Sequence, residues 1–142
     1  MTEPIRFPTK IAVLLRNDLA SWQRLNVTAF LVSGVASTLP ELIGEEYRDA
    51  DDTGYLPMFG QPVLVFAGDR ATLVGAHSRA LALARGLRLA IFTSELFATG
   101  NDRDNRAAVR AVGREKLDLV GVALHAPRNV VDKVLKGASM HP

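Results

Sequence analysis

Side chains that could bind a ligand are concentrated where the first predicted strand meets the first predicted helix. The apolar run KIAVLLR at residues 10–16 ends in Arg16, and Asp18 follows two positions later. Trp22 and Asn26 then lie one helical turn apart and share a face. Because α/β proteins form binding crevices at the carboxyl ends of strands, these four side chains are candidate ligand contacts. The structural alternative is that Asp18 caps the helix and Arg16 is its charge partner.

Four arginines recur at spacings of three, four and four along a helix predicted at residues 101–115. This spacing places them on one face, where they could follow a phosphate backbone or simply form a solvated surface. No aromatic residue is interleaved to stack on bases, and the net charge is only +2, so any contact with nucleic acid would be local. The arginines are Arg103, Arg106, Arg110 and Arg114.

Residues 37–60 form a long acidic excursion that contains two prolines and three glycines. Connections of this length are uncommon within compact domains and are often functional, so Tyr55 is a further candidate ligand contact. The segment DADDTG at 49–54 imitates the start of a calcium-binding EF-hand loop, but Gly60 stands where the bidentate glutamate is required. No metal site is predicted.

Composition and missing motifs argue against several functional classes. Cysteine is absent, which excludes disulfides, thiolate nucleophiles and cysteine-based zinc sites. The chain lacks GxGxxG, GxxxxGK[ST] and GxSxG, which disfavours dinucleotide-dependent dehydrogenases, P-loop NTPases and standard α/β-hydrolases. We therefore expect no cofactor. No apolar run approaches the roughly 20 residues that cross a bilayer, and no signal peptide is evident, so we expect a cytoplasmic protein without membrane contact.

Alternating apolar runs and helical patterns predict one domain over residues 1–142. The expected architecture is a three-layer α/β sandwich, in which a small mixed sheet of about four strands has helices on both faces. The first helix is expected to be capped by Asn17 or Asp18 and the second to end at Gly86. The apolar face of the first helix is predicted to comprise Leu19, Trp22, Leu25, Ala29, Phe30 and Val32. The predicted strands are 10–16, 61–67, 87–93 and 117–124, and the predicted helices are 18–36, 70–86, 101–115 and 127–137.

The pattern Lys10-x5-Arg16-x-Asp18-Leu19, followed by a helix, resembles the start of type 2 peptidyl-tRNA hydrolases. LDLVGVALHAPRNVVDKVLKG resembles their last strand and helix, and SELFATG falls where their Asp-Ala-Gly-x-Thr motif would be. The stretch DLASWQRLNVTAF is more similar to an uncharacterised bacterial domain-of-unknown-function family that shares this fold. The resemblance implies a type 2 peptidyl-tRNA hydrolase-like fold and, by analogy, a possible homodimer.

The same resemblance identifies substitutions at the positions of the family's site. The family's lysine, glutamine and histidine become Asn26, Phe30 and Ser33, while Glu95 and Thr99 take the places of its aspartate and threonine. An asparagine cannot supply a positive charge, and a serine without a nearby base carries protons poorly.

Two functions therefore stay open. The first is a binding or regulatory domain for a small or nucleotide-like ligand that lacks the family's lysine and histidine chemistry. The alternative is a divergent hydrolase of peptidyl-tRNA or another acyl ester. In that case Asp18 or Glu95 would orient water, Thr99 would be a further catalytic candidate, and the arginines would hold phosphates. Whether the chain is an enzyme is left open by the residues themselves.

Overall fold

The structure, a computed structural model, describes residues 4–83 and 87–142, and within them it has a five-stranded mixed sheet, a two-stranded hairpin and four α-helices. The strands are β1 (Thr9–Arg16), β2 (Tyr47–Arg48), β3 (Gly54–Tyr55), β4 (Val63–Gly68), β5 (Ala90–Thr93), β6 (Leu119–Pro127) and β7 (Ser139–Met140). The helices are α1 (Ser21–Thr38), α2 (Arg70–Leu83), α3 (Asp102–Arg110) and α4 (Arg128–Val134).

The main sheet has the strand order β5-β6-β1-β4-β7. β1 runs parallel to β4, with Ile11 opposite Val63, whereas β6 lies antiparallel between β1 and β5. β1 is a continuous apolar run because both of its faces are covered. The four predicted strands are confirmed. The fifth strand, β7, was not predicted, since its two residues pair with β4 only through the tertiary fold.

Helices cover both faces of the sheet, as expected. On one face, α1 packs on β1 side chains such as Ile11 and Val13. On the other face, α2 and α4 pack on the alternate side chains, which include Ala12 and Leu14. This alternation follows from the two-residue period of a strand, so each layer has its own apolar cluster.

α1 approaches the sheet closely at Gly121, in the centre of β6. A Cβ atom at this position would lie 2.6 Å from Val27 Cγ1 and 3.0 Å from Leu31 Cδ1. Carbon atoms prefer separations of about 3.5–4.0 Å, so only glycine permits this distance between helix and sheet. The contact determines which face of α1 is buried.

The predicted apolar face of α1 is wrong for four of its six residues. Leu19 is buried and Val32 is half-buried, whereas the exposed ones are Trp22, Leu25, Ala29 and Phe30. The buried positions of the helix are Val27, Leu31 and Val35, whereas Trp22 and Phe30 are 61% and 53% exposed. A seam of residues spaced four apart packs on the sheet, and the larger apolar side chains lie on the outer face.

The predicted cap of α1 is also wrong. The helix begins at Ser21 after Ala20, whose backbone N–H donates to Gln23 Oε1 at 2.9 Å, so neither Asn17 nor Asp18 caps it.

Two other helices are shorter than predicted. α3 ends at Arg110, because Gly113 is extended and Arg114 begins a separate 3-10 turn over Arg114–Lys116. The last helix ends at Val134 rather than at residue 137. α2 is described to Leu83, and its predicted end at Gly86 lies outside the described residues.

Candidate ligand-binding groove

A groove of about 760 Å³ lies between α1, the edge strand β5 and α3. This volume is within the range of roughly 300–1,000 Å³ that small-molecule sites occupy. The floor is apolar and the rim is polar. The floor includes Phe30, Leu31, Ile91, Phe92, Leu96 and Val109, and the rim includes Ser33, Asp102, Asn105, Arg106 and Arg110.

A recess of about 360 Å³ adjoins the groove at the N-terminal end of α1. Trp22 and Asn26 line it from the helix, and Thr99 lines it from the segment that follows β5. The Thr99 hydroxyl bonds with Asn105 Oδ1, and Asn101 caps α3 by accepting from the backbone N–H of Asp104 at 2.8 Å. The recess and the groove share five lining residues, namely Phe30, Phe92, Leu96, Asp102 and Asn105.

Four aromatic rings form a continuous row along the groove and the recess. Trp22 meets Phe97 edge-on at 5.7 Å between ring centroids, Phe97 lies 5.0 Å from Phe92, and Phe92 meets Phe30 edge-on at 5.8 Å. Such pairs contribute about 0.5–1.5 kcal/mol each beyond the area they bury. Phe92 is buried and anchors the row, so the exposed faces of Trp22 and Phe30 are presented on a fixed support.

Arg16 lies at the end of β1 in a network of ion pairs and is only 9% exposed. Its Nε atom lies 2.7 Å from Asp18 Oδ1, and its Nη1 atom lies 2.7 Å from Asp118 Oδ1. Asp118 also lies 2.8 Å from Arg70 Nη1. Burial lowers the pKa of Arg16, but the hydrogen bonds to Asp18 and Asp118 outweigh it, so the pKa is raised overall. Arg16 therefore has a structural role in this conformation.

Asp118, a member of this network, had no signal in the sequence that singled it out. A hydrogen bond with Ser94 lowers its pKa most, burial opposes this, and the bond and charge of Arg16 lower it further. Its partner Arg16, at the end of β1, lies 102 residues earlier in the chain. Sequence spacing could not have shown this contact.

The comparisons with known proteins give a family but no activity. Residues 9–142 match the profile of a family described as a protein of unknown function (DUF2000). The chain belongs to this DUF2000 family. It is 45% identical to a protein of unknown function from Agrobacterium tumefaciens, with a TM-score of 0.92, over 96% of this chain and 100% of that chain. No curated protein is significantly similar to it. The expected membership of an uncharacterised domain family is confirmed.

The predicted site residues of this DUF2000 protein fall into two sets. Trp22, Asn26 and Thr99 come together in the recess, and Arg106 and Arg110 line the groove beside it. The others lie elsewhere. Arg16 and Asp18 belong to the ion-pair network, and Glu95 is exposed beside Ser94. Arg103 is exposed beside Asp104, and Arg114 lies near His77 of α2. Tyr55 is on the hairpin.

Arg114 is separated from the other three arginines because α3 ends before it. It lines a cavity of about 520 Å³ with His77 of α2, on the opposite face of the sheet from α1. Burial lowers the pKa of His77, and the nearby charge of Arg114 lowers it further. The predicted stripe of four arginines is therefore not continuous.

Over residues 4–83 and 87–142, no three histidine or carboxylate side chains are grouped closely enough to hold a metal ion. None of the helices in these same ranges combines the length and the apolarity that a membrane span requires.

Proposed function

We propose that this DUF2000 protein is a ligand-binding or regulatory domain with a type 2 peptidyl-tRNA hydrolase-like fold. Its groove takes a small ligand that has a planar apolar body and an anionic group, as a nucleotide has. The observation that carries the proposal is the row of aromatic rings along the groove, with arginines on the rim.

The apolar part of such a ligand would lie on Phe30 or Trp22. Both rings are more than half exposed, yet both are supported from beneath by buried or half-buried phenylalanines. Stacking of a base on an aromatic side chain contributes about 1–3 kcal/mol and does not depend on base identity. Exposed aromatic faces beside a concave site are best explained by a ligand that covers them.

The anionic part would meet Arg110. Arg106 is already paired with Asp102 one helical turn earlier, so its charge is partly neutralised. Among the described residues, Arg110 has no carboxylate oxygen within 4.0 Å, and it lines the groove directly. A guanidinium group in this position can form two parallel hydrogen bonds with a phosphate or carboxylate.

The resemblance to type 2 peptidyl-tRNA hydrolases supports the same location. The positions that correspond to the family's lysine, glutamine, histidine and threonine are Asn26, Phe30, Ser33 and Thr99, and all four line the groove or its recess. Three of them are neutral polar residues and the fourth is a phenylalanine. A site of this composition can bind and orient a ligand, but these four residues provide no charged group for acid–base catalysis.

The test uses Trp22, the one tryptophan of the sequence, as a reporter inside the recess. AMP and adenosine are titrated separately while its fluorescence is followed. We expect both to change the fluorescence, with AMP binding more tightly. Arg110→Ala should weaken AMP binding roughly 10- to 150-fold, since a hydrogen bond to a charged group contributes roughly 1.5–3 kcal/mol, and should leave adenosine unaffected. No change with either compound at millimolar concentration would exclude the proposal.

A matched pair of variants on α1 locates the binding site. Ser33→Leu places a larger side chain inside the groove, whereas Ser37→Leu makes the same change one turn later, outside it. Both serines are exposed and bond to a carbonyl three residues earlier, so their effects on stability should be similar. Binding should be lost with Ser33→Leu and kept with Ser37→Leu.

The alternative, a divergent hydrolase of peptidyl-tRNA or another acyl ester, is favoured by one observation. Asn26 and Thr99, which lie far apart in the sequence, line the same recess. Labelled peptidyl-tRNA incubated with the protein would release its peptide if this function is present. Asn26→Ala combined with Thr99→Val should then abolish turnover, while Asp18→Ala, which lies in the ion-pair network, should keep it. Ligand binding without any turnover would favour the first function.

A further inference from the structure

Residues 44–58 form an arm that projects from the domain. Its base is held by the bridge between Ile43 and Phe59 and by the bond from Gly44 N–H to the Met58 carbonyl at 2.9 Å. All fifteen residues of the arm are exposed. Several of them are large and apolar, and Leu56 reaches 84% exposure. The exposed apolar residues of the arm are Tyr47, Tyr55, Leu56 and Met58.

The arm is nevertheless ordered by its own hydrogen bonds. Asp49 Oδ1 accepts from the backbone N–H groups of Asp51 and Thr53, both at 3.0 Å, and Asp49 Oδ2 accepts from the Tyr55 hydroxyl at 2.7 Å. The bond with Tyr55 is the largest cause of the lowered pKa of Asp49. A projecting segment that is organised before contact loses little conformational freedom on binding a partner.

The arm is opposite in charge to the rest of the chain. It contains five carboxylates and one arginine, so its net charge is −4. The whole chain has a net charge of +2, and the remainder therefore carries +6. The charged residues that line the groove are Asp102, Arg106 and Arg110, so the groove has a surplus of one positive charge. Charge complementarity between arm and groove would guide their association and fix its orientation.

We propose that the arm docks on the groove of a second copy of this chain, and that the second copy returns its own arm to the first. The groove and its recess offer both features that the arm requires: the exposed side chains of Phe30 and Trp22 for Leu56 and Tyr55, and Arg110 for the acidic tip. A reciprocal exchange is a two-fold arrangement that closes on itself.

The size of this contact suits a stable dimer. In a reciprocal exchange each protomer contributes the fifteen residues of its arm and the fourteen residues that line its groove. This number lies within the roughly 20–30 residues a side of a specific interface. Phe30 lines the groove and Trp22 lines the adjoining recess, and the chain itself leaves both side chains exposed.

The dimer contact goes beyond the proposed function, because the arm and groove need no ligand to meet. It also gives a place to Tyr55, which does not line the groove of its own chain. In the dimer, Tyr55 of one protomer would cover the groove of its partner. Because the arm would contact the same aromatic side chains and the same Arg110 as the ligand, arm and ligand would compete for the groove.

The experiment measures the molar mass of the protein in solution by light scattering after size exclusion, at several protein concentrations. Wild type should be a dimer. Asp51→Lys with Asp52→Lys makes the tip of the arm basic and brings the net charge of the arm from −4 to zero. Arg106→Glu with Arg110→Glu makes the groove acidic. Each pair should weaken the dimer at least tenfold. A 1:1 mixture of the two variants should restore it, because both contacts of the heterodimer are then complementary.

Controls separate the proposed contact from a general effect of charge. Glu41→Lys with Glu115→Lys changes the net charge as much as the arm variant, at exposed sites outside arm and groove, and should leave the dimer intact. Because the chain lacks cysteine, Leu56→Cys in one copy and Ser33→Cys in another can be joined by a short bifunctional maleimide. A cross-link only between mixed copies is expected.

Three results would overturn the inference: a wild-type monomer at about 100 μM protein, a dimer that neither charge reversal weakens, or two weakened variants that fail to combine. Circular dichroism confirms that each variant is folded, which is expected because every substituted residue is exposed. The AMP titration of Trp22 fluorescence is performed on the same samples. A wild-type monomer that binds AMP would contradict only the dimer. The Asp51→Lys/Asp52→Lys variant keeps every groove residue and should release the arm from the groove, so its failure to bind AMP would contradict only the proposed function.

Discussion

Gly121→Ala should destabilise the protein and alter the groove at the same time. The new Cβ would lie 2.6 Å from Val27 Cγ1, so α1 and β6 must separate by about 1 Å to reach an ordinary carbon–carbon distance. Overpacking of this kind costs about 1–3 kcal/mol, and the entropy that alanine removes from the unfolded chain returns roughly 0.4–1 kcal/mol. The expected net loss is about 1–2 kcal/mol, measured by urea unfolding.

The effect on binding follows from the two faces of α1. Val27 lies on the buried face, and Asn26 and Phe30 lie on the face that lines the recess and groove. Moving the helix outward displaces both binding side chains together. We therefore expect Gly121→Ala to weaken AMP binding in the Trp22 fluorescence titration, although residue 121 does not line the groove.

A double-mutant cycle tests the cause. Val27→Ala alone should cost about 2–3 kcal/mol because it leaves a cavity at a fully buried site. Combined with Gly121→Ala, it should cost roughly 1–2 kcal/mol less than the sum, since the added methyl group occupies the vacated space. Gly113→Ala is the matched control, because nothing lies within 4 Å of its Cβ position. Additive costs, or a Gly121→Ala protein as stable as wild type, would refute the reasoning.

Three other predictions concern the ion-pair network and the arm. Arg16→Met should lower the free energy of unfolding in urea by about 2–3 kcal/mol, which is less than the usual cost of breaking a buried ion pair because Asp118 stays partly hydrated. Asp18→Asn should cost less than about 1 kcal/mol because Asp18 is exposed. The pKa of Asp118 in the folded protein is lowered from its ordinary value of 3.8, so the free energy of unfolding should fall as the pH drops below 3.8. Asp118→Asn should make this fall smaller. If the fall is unchanged in the variant, other carboxylates cause it. Tyr55→Phe removes the bond to Asp49 and should speed amide hydrogen exchange at the arm tip without lowering global stability; slower exchange there would contradict the arm geometry.

The sequence predicts the strands well and the packing of α1 poorly, for physical reasons. β1 and β6 are apolar runs whose burial follows from composition alone. The buried face of α1 depends instead on Gly121, which lies 94 positions after Val27 and accepts that side chain without steric conflict. β7 depends on its pairing with β4, and no local pattern specifies that pairing.

The candidate site was predictable only in part. Trp22 and Asn26 share a helical face by spacing, and the resemblance supplied Thr99, so the recess could be anticipated. The groove itself could not, because it requires α3 to end at Arg110 and to lie beside β5. The pairing of Arg16 with Asp18 was predicted as the structural alternative and is confirmed, whereas its second partner, Asp118, was hidden because it follows 102 residues later.

The short strand β7 has a consequence for how the chain behaves in solution. It covers the outer side of β4 through the pairs Phe66–Met140 and Ala67–Ser139, and the His141 N–H donates to the Val65 carbonyl at 2.9 Å. Without residues 139–142, β4 would present unpaired backbone groups to solvent, and such an edge recruits strands from other chains. By pairing with β4, β7 therefore protects this edge of the sheet from pairing with strands of other chains. We therefore expect a protein that lacks residues 139–142 to keep its core and to aggregate more readily than the chain that retains them.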